Sequence, residues 1–399
     1  MTATRPERQF DVVIIGGGNA GISAAARLIR QGIEDVAIVE PNAVHTYRPL
    51  LSYVGGGQAS LTQAERTQRS VTPAGASWIR DAVVAVEPSA HRVRCESGAV
   101  VGYRDLVVAP GLVPDTDALP GLDAALDTPG VTSNYLDRAA RTWELVRTLA
   151  PGSRVVFTVP RAPVSCTGTT IKPLFLAAAH WRRRGILDTL DLALVVDRPD
   201  LIGVRELDDA LRSRLAALNV RVWDDSTVTA LHPDVQAVTV TAEGSEHRLP
   251  YDLLHLVPPF RGPRWIETSG LAAAPHGLVD IDPGTLRHRA FDDIWSAGDA
   301  AAVATDPSGG ALRRQIAVLA DNIAAARAGA ALREYDGYTV APIATDAHRL
   351  IPAEFDRSGA LSSALPSFLD PLRPRRSAWA FDRYVLPRVY WNLLLRGRL

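Results

Sequence analysis

Lysine is almost absent from this chain of 399 residues: Lys and Arg together number 43, and only Lys172 is lysine. A coding bias toward Arg and Ala explains the general pattern. A lysine that survives it marks a position where the wide guanidinium fork does not fit, or it survives by chance. Cysteine is scarce too. Cys95 and Cys166 cannot build a disulfide scaffold, which fits a reducing compartment. No run of about eighteen apolar residues exists, so no helix spans a membrane. The net charge of −1 gives no electrostatic footprint for nucleic acid, and no nucleic-acid partner is expected. The nine histidines are dispersed, no Cys or carboxylate spacing makes a metal-ligand set, and no Ser-His-Asp arrangement stands out. The first residues carry Arg5, Glu7 and Arg8 and lack a signal-peptide pattern, so a cytoplasmic location is expected.

What is present is an apolar fraction of 47%, enough for two cores and two or three domains. Residues Asp11 to Gly21 read D-V-V-I-I-G-G-G-N-A-G. The run Asp11–Ile15, mostly β-branched, predicts a buried parallel strand. Gly16, Gly18 and Gly21 follow at the spacing of a dinucleotide-binding turn: one for the tight turn, one for close approach to a pyrophosphate, one for helix–strand contact. A helix over Asn19–Gln31 would aim free N–H groups and its positive end at the phosphates. Glu40 ends the next apolar run nineteen residues past Gly21, where a carboxylate accepts a ribose hydroxyl.

Further along, Ala82–Val86 and Arg92–Cys95 alternate like antiparallel strands, and Leu106–Ala109 is another buried strand. A second α/β unit begins near Ser153, with strands at Arg154–Val159 and Leu192–Val196, helices at Lys172–Arg184 and Leu207–Leu218, and strands at Val220–Trp223 and Val238–Val240. It lacks a glycine loop. Pro160 and Pro163 remove backbone donors that a pyrophosphate needs, so the unit has the fold without the nicotinamide-nucleotide grip. Phe291–Asp299 returns to the first unit, and a strand ending in Gly298-Asp299 before a helix at Leu312–Arg327 suits a flavin site. The expected class is α/β, with two Rossmann-like dinucleotide-binding domains and a short C-terminal membrane-interface segment. The spans are 1–150 with 276–335 for the FAD-binding domain, 151–275 for the second, and 336–399 for the C-terminal region.

Cys166 is the candidate reactive group, on the loop before a helix whose N-terminus would lower the thiol pKa; a buried structural cysteine is the alternative. Lys172 lies within reach of the same pocket, where its ammonium would help further. Cys95 lies in a segment like a peripheral hairpin and is the weaker redox candidate. His255 reads as a core histidine before a proton carrier, and His45 as a residue that shapes the loop after the second strand. From Leu372 onward, Arg373, Arg375, Arg376, Arg383, Arg388, Arg396 and Arg398 alternate with aromatic and apolar residues. That mixture suits a segment in a membrane interface, and equally a helix packed on its own protein.

The strings V-E-P at Val39–Pro41, H-T-Y-R-P at His45–Pro49, S-N-Y at Ser133–Tyr135, C-T-G-T-T-I-K at Cys166–Lys172, Y-D-G-Y-T at Tyr335–Thr339 and Y-W-N-L-L-L-R-G at Tyr390–Gly397 resemble the sulfide:quinone oxidoreductase family, in its mitochondrial-type branch. The resemblance implies a monotopic FAD enzyme that oxidises sulfide and passes electrons to membrane quinone. Its membrane contact would run through residues 373–399, at the inner face of the plasma membrane. It also implies FAD contacts at Gly18, Asn19, Glu40, Arg48, Val83, Asp299, Gly309, Gly310, Ala311 and Leu312. Two departures fall at the chemistry. Ala341 stands where the family's second redox cysteine belongs, so sulfide cannot attack an intramolecular cysteine bridge. Pro307 stands where a lysine is usual, leaving Arg313 or Arg314 to supply the charge. The main reading is oxidation of sulfide or a small thiol at Cys166, with an external thiol replacing the missing cysteine. The alternatives are a flavin oxidoreductase with a different small substrate, a non-catalytic FAD-bound redox sensor, and an NADH:quinone oxidoreductase.

Overall fold

The computed structural model describes residues 8–273, 275–362 and 370–399. The other positions, which fall inside all three spans read from the sequence, lie outside the described residues. Two parallel sheets organise the chain. In the first, Arg8–Ile15 lies between Val36–Val39 and Val100–Val108, and Ala76–Ile79 extends one edge. The nine-residue strand Val100–Val108 is shared on its other side: its start carries the antiparallel hairpin Val83–Glu87/Arg92–Cys95, and its end pairs with Ile294–Ser296. Val12, Val13 and Ile14 are fully buried, as a strand covered on both faces requires. Helix Asn19–Arg30 packs its buried face, including Ile22, Ala25 and Leu28, against helix Gly309–Arg327.

The second sheet runs Val131–Thr132, Leu253–His255, Arg154–Val159, Asp191–Val196, Val220–Trp223, all parallel. A three-stranded antiparallel sheet, Thr227–His232, Ala237–Ala242 and Ser245–Pro250, packs beside it. Val131–Thr132 pairs with Leu254–His255, and Leu119, Leu122 and Leu126 share a core with Val195 and Leu254. The second sheet therefore draws on residues before 150, a non-local pairing that composition does not reveal.

The hairpin Thr339–Asp346/Arg349–Phe355 lies against helix Thr167–Arg183. The C-terminal residues fold back on the first unit. Tyr390, Trp391, Leu394 and Leu395 are buried, and His45 bridges this seam, its Nδ1 at 2.9 Å from the Gly17 carbonyl and its Nε2 at 2.5 Å from the Tyr390 hydroxyl. Burial holds the His45 pKa below its ordinary value. Phe381 and Tyr384, by contrast, are 52% and 48% exposed. No helix of the described residues is long and apolar enough to cross a membrane.

Lys172 explains its own survival. It is fully buried, with Nζ 3.3 Å from Asp382 Oδ2 and above the Tyr53 ring, while the Tyr53 hydroxyl donates to the same oxygen at 2.6 Å. A slim ammonium reaches this space. The pair ties together helix Pro49–Gly55, helix Thr167–Arg183 and the C-terminal segment. Removing one partner strands a charge in low dielectric, so Lys172→Met is expected to lower unfolding free energy by about 3–5 kcal/mol. Chemical denaturation measures this. Adding Asp382→Asn, which keeps an acceptor for Tyr53, should recover a large part; no recovery would mean the lysine stabilises by packing and not by charge.

Candidate functional site

The glycine loop is shaped by close approaches. Gly16 has φ +99°, and a Cβ there would stand 2.3 Å from the Ala109 carbonyl oxygen. A Cβ on Gly21 would stand 1.8 Å from the Gly16 carbonyl oxygen. Gly18 faces open space. Helix Asn19–Arg30 has no side-chain cap and no acid in its first turn, so its free N–H groups and positive end remain available to an anion. Glu40 is buried beside the loop. Its Oε2 accepts the Gly17 N–H at 2.7 Å, and its Oε1 accepts the Asn42 N–H and side-chain amide. Its remaining lone pairs can still take a ribose hydroxyl.

Gly298, Ala20 and Leu312 converge: a Cβ on Gly298 would lie 3.2 Å from Ala20 Cβ and 3.6 Å from Leu312 Cδ2. The Gly298 N–H donates to Gln315 Oε1, and the Ala311 N–H donates to Ser308 Oγ, which caps helix Gly309–Arg327. Gly309 and Gly310 open that helix, and their N–H groups have no intrahelical acceptor. The uncapped Asn19 helix, the open space at Gly18 and the Gly298–Asp299 turn beside this second helix start fit a dinucleotide such as FAD. Val83 opens the hairpin at a register shift.

Cys166 stands at the N-cap of helix Thr167–Arg183 with φ +59° and ψ +94°, a conformation that non-glycine residues adopt only when the surroundings impose it. Those surroundings are specific. Asp306 accepts the Thr167 N–H at 3.2 Å and the Thr167 hydroxyl at 2.5 Å, and Arg198 donates to that hydroxyl at 3.3 Å. The Tyr135 hydroxyl reaches the Ser165 and Cys166 carbonyl oxygens at 3.3 and 3.4 Å, and Arg48 donates to the Tyr135 carbonyl at 2.9 Å. The Thr169 hydroxyl donates to Cys166 Sγ at 3.1 Å. Asp299 is near enough to the Ser165 side chain and the Arg48 charge for both to favour its ionised form. Arg48 and Cys166, distant in sequence, are linked through Tyr135.

The helix begins five residues before the span read from the sequence, because Asp306, 139 positions away, caps its first N–H. The same carboxylate corrects the expected charge state of the thiol. Burial, then the Asp306 charge, push Cys166 up to about 11, outweighing the Thr169 hydrogen bond and the more distant Lys172. Lys172 gives its ammonium to Asp382, and no hydrogen bond joins it to Cys166 among the described residues. Burial raises Asp299 and pushes Asp306 up to about 6. Asp306 and Tyr135 as neighbours of Cys166 were missed, and no local pattern marks Asp306.

Ala341 is fully buried, and a Cβ on Gly168 would come within 2.9 Å of its Cβ. The position read as the lost cysteine therefore lies against the first turn of the Cys166 helix. Arg313 donates to the Tyr338 hydroxyl and Arg314 pairs with Asp336, so both guanidinia are committed elsewhere. In the second unit Asp197, at the end of a strand where a ribose carboxylate would stand, is occupied by Arg161 at 3.2 Å and the Thr227 hydroxyl at 2.5 Å. Cys95 is buried in the hairpin, its thiol pushed up to about 11 by burial. His255 lies in the second core, where burial holds it down at about 4; its Nε2 accepts the Asn134 N–H and its Nδ1 has no partner among the described residues.

Residues 10–329 match the family described as pyridine nucleotide-disulphide oxidoreductase. The chain is 33% identical over 392 residues to the mitochondrial sulfide:quinone oxidoreductase of Dictyostelium discoideum, covering 97% of this chain and 86% of that protein. It is 30% identical over 397 residues to the mitochondrial sulfide:quinone oxidoreductase of Mus musculus, covering 98% and 87%. The X-ray structure of the sulfide:quinone oxidoreductase from Aquifex aeolicus superposes with a TM-score of 0.80 at 18% identity, over 98% of this chain and 92% of that one.

A thiol held near pH 11 is a poor nucleophile at pH 8, so iodoacetamide should label Cys166 roughly a hundredfold more slowly than an unperturbed thiol, measured in a Cys95→Ser background. Asp306→Asn removes the repelling charge and is expected to speed labelling several-fold. An unchanged rate would show that burial alone sets the thiol.

Proposed function

The chain belongs to the sulfide:quinone oxidoreductase family, within the pyridine nucleotide-disulphide oxidoreductases, and is an FAD-dependent oxidoreductase; from that premise we propose that it oxidises sulfide or a small thiol at Cys166 and delivers the electrons to membrane quinone. The observation that carries this reading is the strained, N-cap position of Cys166, on a loop whose Ser165 lies near Asp299. The glycine loop and the Gly298–Asp299 turn would hold FAD, which when bound would supply a two-electron carrier between sulfide and quinone. With Ala341 in place of a second cysteine, the sulfur acceptor is an external thiol. One hydrogen sulfide, one thiol RSH and one quinone give one persulfide RSSH and one quinol, two electrons and two protons passing to the quinone. Gly16, Gly18, Asn19 and Gly21 would orient the pyrophosphate, and Glu40 the ribose. Asp299 would take a ribityl hydroxyl. Arg48 holds the Tyr135 backbone, and Tyr135 holds the Cys166 loop. Asp306 anchors the helix that presents the sulfur.

Ala341 and Pro307 together favour a second reading, a flavoprotein with another substrate or a redox sensor. The Pro160–Pro163 loop and the Arg161–Asp197 pair weigh against a nicotinamide donor. Anaerobic addition of sulfide should bleach the flavin absorbance, and Cys166→Ser should abolish that bleaching while the flavin stays bound. Bleaching retained in full would remove Cys166 from the chemistry, and bleaching by neither sulfide nor NADH would favour the second reading. Ala341→Cys should make sulfide oxidation less dependent on added thiol; unchanged dependence would mean that position 341 does not meet the sulfur path.

On this reading the protein rests on a membrane surface through Phe381, Tyr384 and Val385, which are exposed between Arg376 and Arg388. Side chains of this kind sit in the headgroup region with the guanidinia at its edge. Deleting the segment would uncover the core lined by Tyr390 and Trp391, so the sharper test is Phe381→Ser with Tyr384→Ser. Membrane sedimentation should fall sharply with the melting temperature unchanged. Undiminished sedimentation would contradict the membrane reading.

A further inference from the structure

A cleft of about 440 Å³ opens on the far side of the Cys166 helix from its N-terminus, and four arginines line it: Arg182, Arg214, Arg349 and Arg373. They come from four separate pieces of chain: the last turns of helices Thr167–Arg183 and Arg205–Ala216, the tip of the hairpin Thr339–Asp346/Arg349–Phe355, and the start of the C-terminal segment. Among the described residues none of the four guanidinia has an ion pair or hydrogen bond. Two other surface arginines of this unit are paired: Arg212, half a helical turn from Arg214, meets Asp224 at 2.8 Å, and Arg221 meets Asp191 at 2.9 Å. The Arg214 Nε is shut off from water without an acceptor. The single carboxylate in the lining, Asp346, already accepts the Ala347 N–H. Phe175, Leu218 and Pro374 give the cleft an apolar side.

Four positive charges gathered around the single carboxylate of Asp346 leave an excess of positive charge, which a ligand that brings negative charge relieves. Planar guanidinium forks match phosphate oxygens in pairs, and the volume suits a small organic molecule more than a bare ion. We propose that this cleft is a second binding site, for a ligand carrying a phosphate group, seated on Arg182, Arg214, Arg349 and Arg373 with its organic part against Phe175 and Leu218. The chemistry is shared by soluble phosphate esters and by phospholipid headgroups, and Arg373 and Pro374 lead directly into the segment that exposes Phe381. The site is separate from the redox centre: Arg182 lies sixteen residues beyond Cys166 along the helix, roughly 24 Å at about 1.5 Å per residue. The proposal does not depend on sulfide being the substrate.

The test uses the flavin-loaded full chain and the paired variant Arg349→Ser/Arg373→Ser, both residues being exposed, with side chains free of partners among the described residues. Titration with inorganic pyrophosphate at low salt reads the soluble source. Sedimentation with phosphatidylcholine vesicles, with and without phosphatidylglycerol, reads the lipid source. Binding of pyrophosphate that weakens at least about tenfold in the variant assigns a soluble phosphate ligand. Phosphatidylglycerol-dependent sedimentation that the variant loses assigns a headgroup. Arg182→Ser, in the same lining, should act in the same direction. Every probe that binds the parent protein binding the variants as well, or neither probe binding at all, would overturn the site.

Discussion

The arrangement around Cys166 depends on one contact, the carboxylate of Asp306 on the backbone and hydroxyl of Thr167. A helix start leaves N–H groups unpaired, and when they are buried the cost of leaving them so is of order 1–3 kcal/mol each. Asp306 meets one of them from a different unit of the fold. In doing so it fixes where helix Thr167–Arg183 begins, and so where Cys166 must leave the loop with φ +59°. Tyr135 and Thr169 then hold the carbonyl and the sulfur of that residue. The cap has a chemical consequence. Burial first, and then a carboxylate at the positive end of the helix that opposes the field favouring a thiolate, push the Cys166 thiol up to about 11.

The second constraint is the placement of charge in the interior. The Cys166 helix is pinned at its N-terminus by Asp306 and one turn and a half later by Lys172 on Asp382. The first contact joins it to the segment that follows Asp299, the second to the C-terminal segment. His45 adds a third link, from the glycine loop to Tyr390. The nucleotide loop, the sulfur and the C-terminal segment are therefore coupled through buried polar contacts, which are strong when complete and costly when one member is removed.

The parts legible in the sequence were those governed by local rules. The strand before Gly16, the glycine spacing, the hairpin at Val83–Cys95 and the strand at Arg154–Val159 all follow from β-branched runs, alternation and turn residues. Pro160 and Pro163 were read as removing backbone donors from the loop of the second unit, and in the structure Arg161 closes on Asp197 beside them. What stayed hidden was set by distant partners. The first turn of the Cys166 helix depends on Asp306, the second sheet recruits Val131–Thr132 from before the expected boundary, and the thiol is raised where local reasoning from a helix start has it lowered. Lys172 was read as a place for a slim cation that would help Cys166, but its partner came from residue 382, at the other end of the chain.

The central claim is that the Cys166 sulfur faces the reactive ring of FAD. An experimental structure of the flavin-loaded protein measures this directly. Cys166 Sγ is expected in van der Waals contact with the isoalloxazine, within about 4 Å. A sulfur more than about 8 Å from the ring, two such contact lengths, would contradict the claim and leave Cys166 as a strained turn residue with no part in the redox chemistry.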